Sequence, residues 1–467
     1  MKKHDLQPTP DNIRNTFIRD SIGRNKDLVN FIKIIDSIDE SFSIALDSYW
    51  GSGKTFFVKQ VKMILDTVTE ESYGEVEGKN QILSTWRTLS NQMQLKKHVP
   101  IYYDAWANDC DDDPIYSLVY QMILDTEKNK GIKDKISFSD VLSVAGKITE
   151  AIAGFDPNDI ADAFKKGDFL ETLRERKDIG KLIEKYIDKL LPEGCDRLLI
   201  IIDELDRCNP EFAVKLLERI KHYFNNDKVT FVFSVNLAEL QITIRKYYGE
   251  EFNASRYLDR FFDLRVVLPP PDMKKFYSLI NFSQNDPTFG SLSSVMELVF
   301  NKEHMQMREC IKLVSLMRTI NFEEIRRYAC YEQERGYSEI IIYKIIIPVV
   351  WGSMINNVFL FNRFMRERDC SILTYFYNDK TTIDTVDHTL YSLYTEEEIN
   401  SKRPDYSTKS DIDLLHKKLS DFYNALINAD NEVKVGKCLI TDRERDIFHR
   451  TVSLLANNTL LKENNDN

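Results

Sequence analysis

The chain has 467 residues, enough for two or three domains at roughly 150 residues each and long enough to bury a sizeable core. Hydrophobic residues at 43% and charged residues at 29% are the proportions of a soluble globular protein. A net charge of -11, from 63 basic and 74 acidic residues, argues against the whole chain being a basic nucleic-acid binder.

The opening "MKKHDLQPTPDN" lacks the apolar core of a signal peptide. Seven cysteines scattered singly, with no C-x-x-C pair, read as reduced thiols of a cytoplasmic protein. In "RNKDLVNFIKIIDSI", Leu28, Phe31, Ile32, Ile35 and Ile38 share one helical face. "FSIAL" (Phe42 to Leu46) reads as a buried strand entering the loop "DSYWGSGKT". Beyond the loop, Phe57, Val58, Val61, Ile64 and Leu65 recur at helical spacing. A second strand is expected at "VPIYYDAW" (Val99 to Trp106), followed by the acidic loop "NDCDDDP" and a helix from about Ile115 to Ile123.

Residues 129–194 are charged and helical in pattern, with "GFDPND" as a break, and read as a helical insertion. The third strand is "RLLIIIDELD" (Arg197 to Asp206); its helix opens with Asn209 as N-cap and Pro210 at the first position. "VTFVFSVN" (Val229 to Asn236) is the fourth strand. "LRVVLPPP" (Leu264 to Pro271) is the fifth, stopped by prolines. Strands alternating with helices predict a mostly parallel sheet with helices on both faces. The core is therefore expected in 1–128 and 195–272, a helical lid in 273–370, and a mostly helical C-terminal region in 371–467 whose end, "NNTLLKENNDN", frays. Asn378 to His388 is polar and reads as a loop. "EIIIYKIIIPVVWGSMINNVFLF" (Glu339 to Phe361) is strongly apolar, but Lys344, Pro348, Asn356 and Asn357 interrupt it. It is expected to be a buried helix pair with no run of the ~18–20 residues that a membrane span needs, membrane insertion being the lesser alternative.

The segment at Leu46 ends in Gly53-Lys54-Thr55, the tail of the phosphate-loop pattern G-x-x-x-x-G-K-[ST], although the first glycine position holds Ser48. Such a loop works because backbone N–H groups and a helix N-terminus converge on an anion. Residues Tyr49, Trp50, Gly51, Ser52, Gly53, Lys54, Thr55 and Phe56 are the expected nucleotide contacts. Lys54 reaches the β- and γ-phosphates and the Thr55 hydroxyl binds Mg2+.

"LLIIIDE" carries two carboxylates to the C-terminal edge of its strand, where ligands of open α/β sheets bind. Asp203 is placed to hold Mg2+, and Glu204 to polarise an attacking water; the plain alternative is a solvated acidic turn. Asn236, at the end of the fourth strand, either orients that water or caps the next helix. Arg260 and Arg265 flank the start of the fifth strand. Arg260 is the candidate finger for a neighbouring subunit, and Arg326 and Arg327 are candidate sensors from the helical region; each can equally be a surface residue. The run Asp109, Asp111, Asp112, Asp113 reads as a solvated loop, and the seven histidines form no zinc cluster.

Together these motifs resemble the KAP family of P-loop NTPases. "DSIGR" (Asp20 to Arg24) looks like its opening segment and "YWGSGKT" like its phosphate loop, Trp50 included. "YYDAW....DDDP" resembles its second-strand motif, "IIDELDRCNP" its extended acidic motif, and "YLDRFFDLRVVLPPP" the segment closing its core. The likeness covers about Asp20 to Tyr328. It implies an ASCE-type core, with an added strand between the two phosphate-handling strands, and a helical lid. It further implies ATP hydrolysis with Mg2+, homo-oligomers, a separate effector protein, and a role in defence against phages or plasmids. Members often carry membrane helices between the two main motifs; here that insertion is charged. The competing expectation is a nucleotide-gated interaction protein with little turnover. A DNA-acting motor is weakened by the net charge.

Overall fold

The computed structural model describes residues 7–70, 78–111, 113–128, 181–191, 194–224, 226–280, 292–320, 333–356, 358–367, 369–428 and 431–463. The chain divides into two compact units, Met1–Lys275 and Phe276–Asn467.

The first unit is built on five parallel strands: β1 (Phe42–Asp47), β2 (His98–Asp104), β3 (Arg197–Asp203), β4 (Val229–Val235) and β5 (Leu264–Val267). Their order across the sheet is β2-β3-β4-β1-β5, so β4 is inserted between the strand leading to the phosphate loop and the strand ending in the acidic pair. Strands β3 and β4 are buried at every position, as continuous Leu, Ile, Val and Phe runs require of a sheet covered on both sides. Alternate residues serve opposite faces. Leu198, Ile200 and Ile202 pack with Leu118, Leu216 and Leu240, whereas Leu199 and Ile201 pack with Phe31, Val58 and Trp86.

After a first helix α1 (Pro10–Arg19), those second partners come from α2 (Asn25–Asp36), α3 (Lys54–Glu70) and α4 (Lys79–Leu89). The first come from α5 (Pro114–Lys128), α6 (Pro210–Tyr223) and α7 (Leu237–Tyr248). At the start of α6, Asn209 Oδ1 accepts from Glu211 N at 3.0 Å with Pro210 behind it, as the sequence predicts. Strand β5 stops at Val267, short of the expected Pro271, because Leu268 N–H makes the last bond to Asp47 O before prolines 269–271, which have no N–H to give. Within the 129–194 insertion, the described residues 181–190 are helical and bury Ile183, Tyr186, Ile187 and Leu190 against the core; 129–180 lie outside the described residues.

The second unit is largely helical, including Leu292–Lys302, Met307–Met317, Lys409–Asn428 and Asp442–Glu463, with a small antiparallel hairpin, Val433–Val435 with Cys438–Ile440. Its hairpin turn holds Gly436 at φ +58, where a Cβ would lie 2.2 Å from the Leu393 carbonyl carbon. Two expectations change here. Asn378 to His388 is not a loop: Asp379 caps a short helix, Lys380–Asp384, and Ile383 and Val386 are buried. The last helix is described as far as Glu463. The apolar stretch does fall in a helix pair, the second member being Val358–Arg366, but Pro348 does not interrupt the first: Gly336–Ile355 spans 20 residues at mean hydropathy 1.6, long and apolar enough to cross a membrane, yet 89% buried inside the protein. Pro348 cannot donate to the Lys344 carbonyl four residues back, and a π-helical turn over Ile341–Ile346 absorbs the mismatch without ending the helix.

Candidate nucleotide-binding site

The parallel register sets the site. Asp203 pairs with Ser234 and Asp47 with Val235, so the ends of β1, β3 and β4 lie side by side at the C-terminal edge of the sheet. The phosphate loop leaves β1 there and enters α3 at Lys54. Its two retained glycines are the positions that need to be glycine: Gly51 has φ +82 and Gly53 φ +87. Ser48 has no such positive φ, and its N–H donates to Val235 O at 3.2 Å. The missing first glycine therefore costs the loop nothing in backbone strain.

Lys54 Nζ donates to the carbonyl of Ser48 and, at 3.1 Å, to that of Tyr49. Burial pushes its ammonium below the ordinary lysine range, while Asp206, Asp203 and Asp47, in that order, pull it back up. Thr55 lies in the first turn of α3. Tyr49 is 75% exposed, whereas Ser52 is buried and its Oγ has no partner among the described residues. Phe56 is half-buried in the same turn.

Across the edge, both Asp203 oxygens are held. Tyr102 Oη donates to Oδ2 at 2.9 Å and Glu204 N–H to Oδ1 at 3.1 Å. Glu204 has left-handed backbone, φ +60 and ψ +25, a conformation costing an L-residue about 1–2 kcal/mol and typical of functional turns. Its N–H also reaches Ser234 O at 3.3 Å. Its side chain pairs with Arg207 at 3.0 Å, and Arg207 lies over the Trp106 ring, 5.5 Å from the centroid. Burial raises the Glu204 carboxyl above its ordinary range, with Arg207 opposing. Asn236 Oδ1 accepts from Ala238 N at 3.2 Å and Glu239 N at 3.5 Å, so the helix cap is the interaction present.

The loop, Lys54, Thr55, Asp203, Glu204 and Asn236 thus converge. Arg260 does not join them within one chain: β5 enters the sheet with Leu264 opposite Ile44, and Asp263 N bonds Ser43 O, which places the exposed Arg260 toward the opposite edge. Arg265 is ion-paired with Asp259. Arg326 and Arg327 lie outside the described residues. In the acidic run, Asp113 is not solvated: it is buried and paired with Arg219 at 3.0 Å, and Asp109 accepts from Asn209 N at 2.9 Å. Asp112 lies outside the described residues.

Three residues of the site had no assigned role from sequence. Arg24 is 1% exposed, and its guanidinium donates to Ser52 O at 2.8 Å and Pro269 O at 2.6 Å. Tyr102 orients Asp203. Asp206 accepts from Trp50 Nε1 at 2.6 Å. All three stand in the quoted motifs, but only their distant partners reveal the roles.

These residues fit a magnesium nucleotide. The orphaned Ser52 hydroxyl and the Lys54 ammonium, met only by loop carbonyls, are donors a phosphate would satisfy. Thr55 and Asp203 offer the hard oxygen ligands Mg2+ takes. No group of three or more His, Cys, Asp or Glu suited to a metal occurs among the described residues.

A family model, the KAP family P-loop domain, matches residues 24–365. The chain belongs to the KAP family. Its central parallel five-stranded sheet flanked by helices is the P-loop NTPase fold of that family, and membership points to nucleotide binding and hydrolysis. No curated protein matches the chain. Among solved structures, the Aeropyrum pernix ORC2 protein (ADPNP-ADP complexes) is similar at 10% identity, over 93% of this chain and 94% of that one, with a TM-score of 0.32, too low to carry weight.

Proposed function

We propose that this KAP protein is an Mg2+-dependent ATP hydrolase whose cycle drives assembly or remodelling with a partner protein. The observation that carries the reading is the convergence, at one sheet edge, of the glycine-built loop with Lys54 and the Asp203-Glu204 pair. In this reading Lys54 and the loop amides bind phosphate, Thr55 and Asp203 hold Mg2+, and Glu204 polarises water. Arg260 serves a neighbouring copy's site, which its place toward the far edge supports. A role in phage or plasmid defence rests on family resemblance, and plaque counts in hosts carrying the intact or Glu204→Gln gene test it.

The second reading, a nucleotide-gated interaction protein with little turnover, is favoured by one contact: Arg207 engages the base that hydrolysis needs, at 3.0 Å. Phosphate release decides between them. Glu204→Gln is expected to keep ATP binding and lose turnover by about 100-fold or more. If release by the variant equals that of wild type, the switch reading replaces the hydrolase.

A further inference from the structure

Two side chains from outside the phosphate loop grip it. On one side, Arg24 holds the carbonyl of Ser52. On the other, Trp50 Nε1 donates to Asp206 Oδ2 at 2.6 Å. Trp50 is 44% exposed, so burial of its ring does not explain where its N–H points; Asp206, by contrast, is 5% exposed. A buried carboxylate is costly unless donors surround it. Here the Trp50 indole donates to it; burial still raises its pKa, and the indole, Lys54 and the main-chain amides of Asp206 and Asn236 oppose that rise. Lys54 lies close enough for its charge to stabilise the carboxylate further.

The Asp206 turn is itself pinned, because Thr243 Oγ1 on α7 donates to Asp206 O at 3.2 Å. The Trp50–Asp206 bond therefore joins the loop to the turn after β3, which α7 holds in its turn. Between these contacts the loop contains Gly51, next to Trp50, and Gly53, next to Ser52, and glycine gives up more conformational freedom on ordering than any other residue.

From this geometry we infer that Asp206 is a positioning residue that acts through the Trp50 indole to hold the phosphate loop in its nucleotide-accepting shape. The inference rests on the nucleotide reading of the site. It adds a residue pair whose effect is on affinity: a loop already ordered loses less freedom when ligand binds.

The test is a double-mutant cycle with Trp50→Phe, which keeps an aromatic ring but removes the N–H donor along with part of the ring, and Asp206→Asn, which removes the charge that strengthens the bond. Two readouts are needed. The first is the Kd of a fluorescent ATP analogue with Mg2+, together with turnover at saturation. Each single variant is expected to raise Kd about tenfold, with a smaller fall in kcat, and the double variant to match the worse single because one hydrogen bond underlies both. The second is hydrogen exchange of amides 48–53 in nucleotide-free protein, expected to speed up equally in all three variants. Effects on Kd that multiply in the double variant, or wild-type Kd and exchange in Trp50→Phe, overturn the proposal. If Asp206→Asn does not fold, Trp50→Phe alone decides by the same readouts. A wild-type protein that binds no nucleotide sinks the site reading instead, and the exchange measurement still judges the Trp50–Asp206 clamp.

Discussion

Removing Arg24 tests how the loop is anchored. Its guanidinium is buried and donates to Ser52 O at 2.8 Å and Pro269 O at 2.6 Å. Burial lowers its pKa to about 10, so it stays charged at neutral pH. Each hydrogen bond from a charged donor contributes about 1.5–3 kcal/mol, and Arg24→Ala leaves two carbonyls without it. The expected loss is therefore about 3–6 kcal/mol, a large part of the ~5–15 kcal/mol that holds a domain folded. Arg24→Lys keeps charge but not the fork, so it retains one of the two bonds and loses about half as much. Urea unfolding followed by tryptophan fluorescence measures both, and calorimetric titration with ATP and Mg2+ follows the loop in whichever variant folds. The Lys variant is expected to bind at least about tenfold more weakly, a cost of roughly 1.4 kcal/mol. Losses under about 1 kcal/mol in both variants, with unchanged affinity, would refute the anchoring role.

Two further tests address the loop and the base. Gly53→Ala forces a Cβ onto φ +87, at about 1–2 kcal/mol, and is expected to weaken nucleotide binding roughly tenfold, whereas Ser48→Gly leaves Kd within about twofold because Ser48 needs no positive φ. Equal effects of the two substitutions on Kd would contradict that reading. Glu204 must be ionised to act as base, and burial raises its pKa, so activity falls on acidification from a pH above the ordinary glutamate value of 4.5. Arg207 opposes that rise, so Arg207→Ala is expected to move the acid limb of the kcat profile to higher pH; an unmoved or lowered limb removes Arg207 from the electrostatics of the base.

The five strands, the loop glycines and the acidic pair were legible because each is local: a β-rich run, a turn chemistry, two adjacent carboxylates. The strand order follows the family resemblance rather than any periodicity. Arg24, Tyr102 and Asp206 escaped because their partners stand 245, 101 and 156 residues away, and no short-range pattern encodes such pairs. Composition also misled where burial and backbone geometry decide. The polar run from Asn378 reads as a loop, yet one aspartate cap and two buried aliphatics make part of it helix. Pro348 reads as a helix stop, yet a π-turn carries the helix past it.

The two side chains that the proposed chemistry most needs already have partners. Lys54 is held by carbonyls of its own loop, and Glu204 by Arg207. The two contacts yield to ligand differently. A phosphate oxygen carries full negative charge, so Lys54 exchanges two neutral acceptors for a charged one and gains by moving. Glu204 has no such incentive: its present partner is already a cation, and the Arg207–Trp106 contact steadies that partner. Nucleotide binding alone can therefore recruit Lys54, while freeing Glu204 requires that something compete for Arg207. The γ-phosphate and an acidic side chain of a neighbouring protein both have the charge to do so. If the γ-phosphate suffices, Arg207→Ala leaves basal turnover of the isolated protein near wild type; if a partner is needed, the same substitution raises it. Steady-state phosphate release by purified wild type and Arg207→Ala, compared at saturating ATP, separates the two.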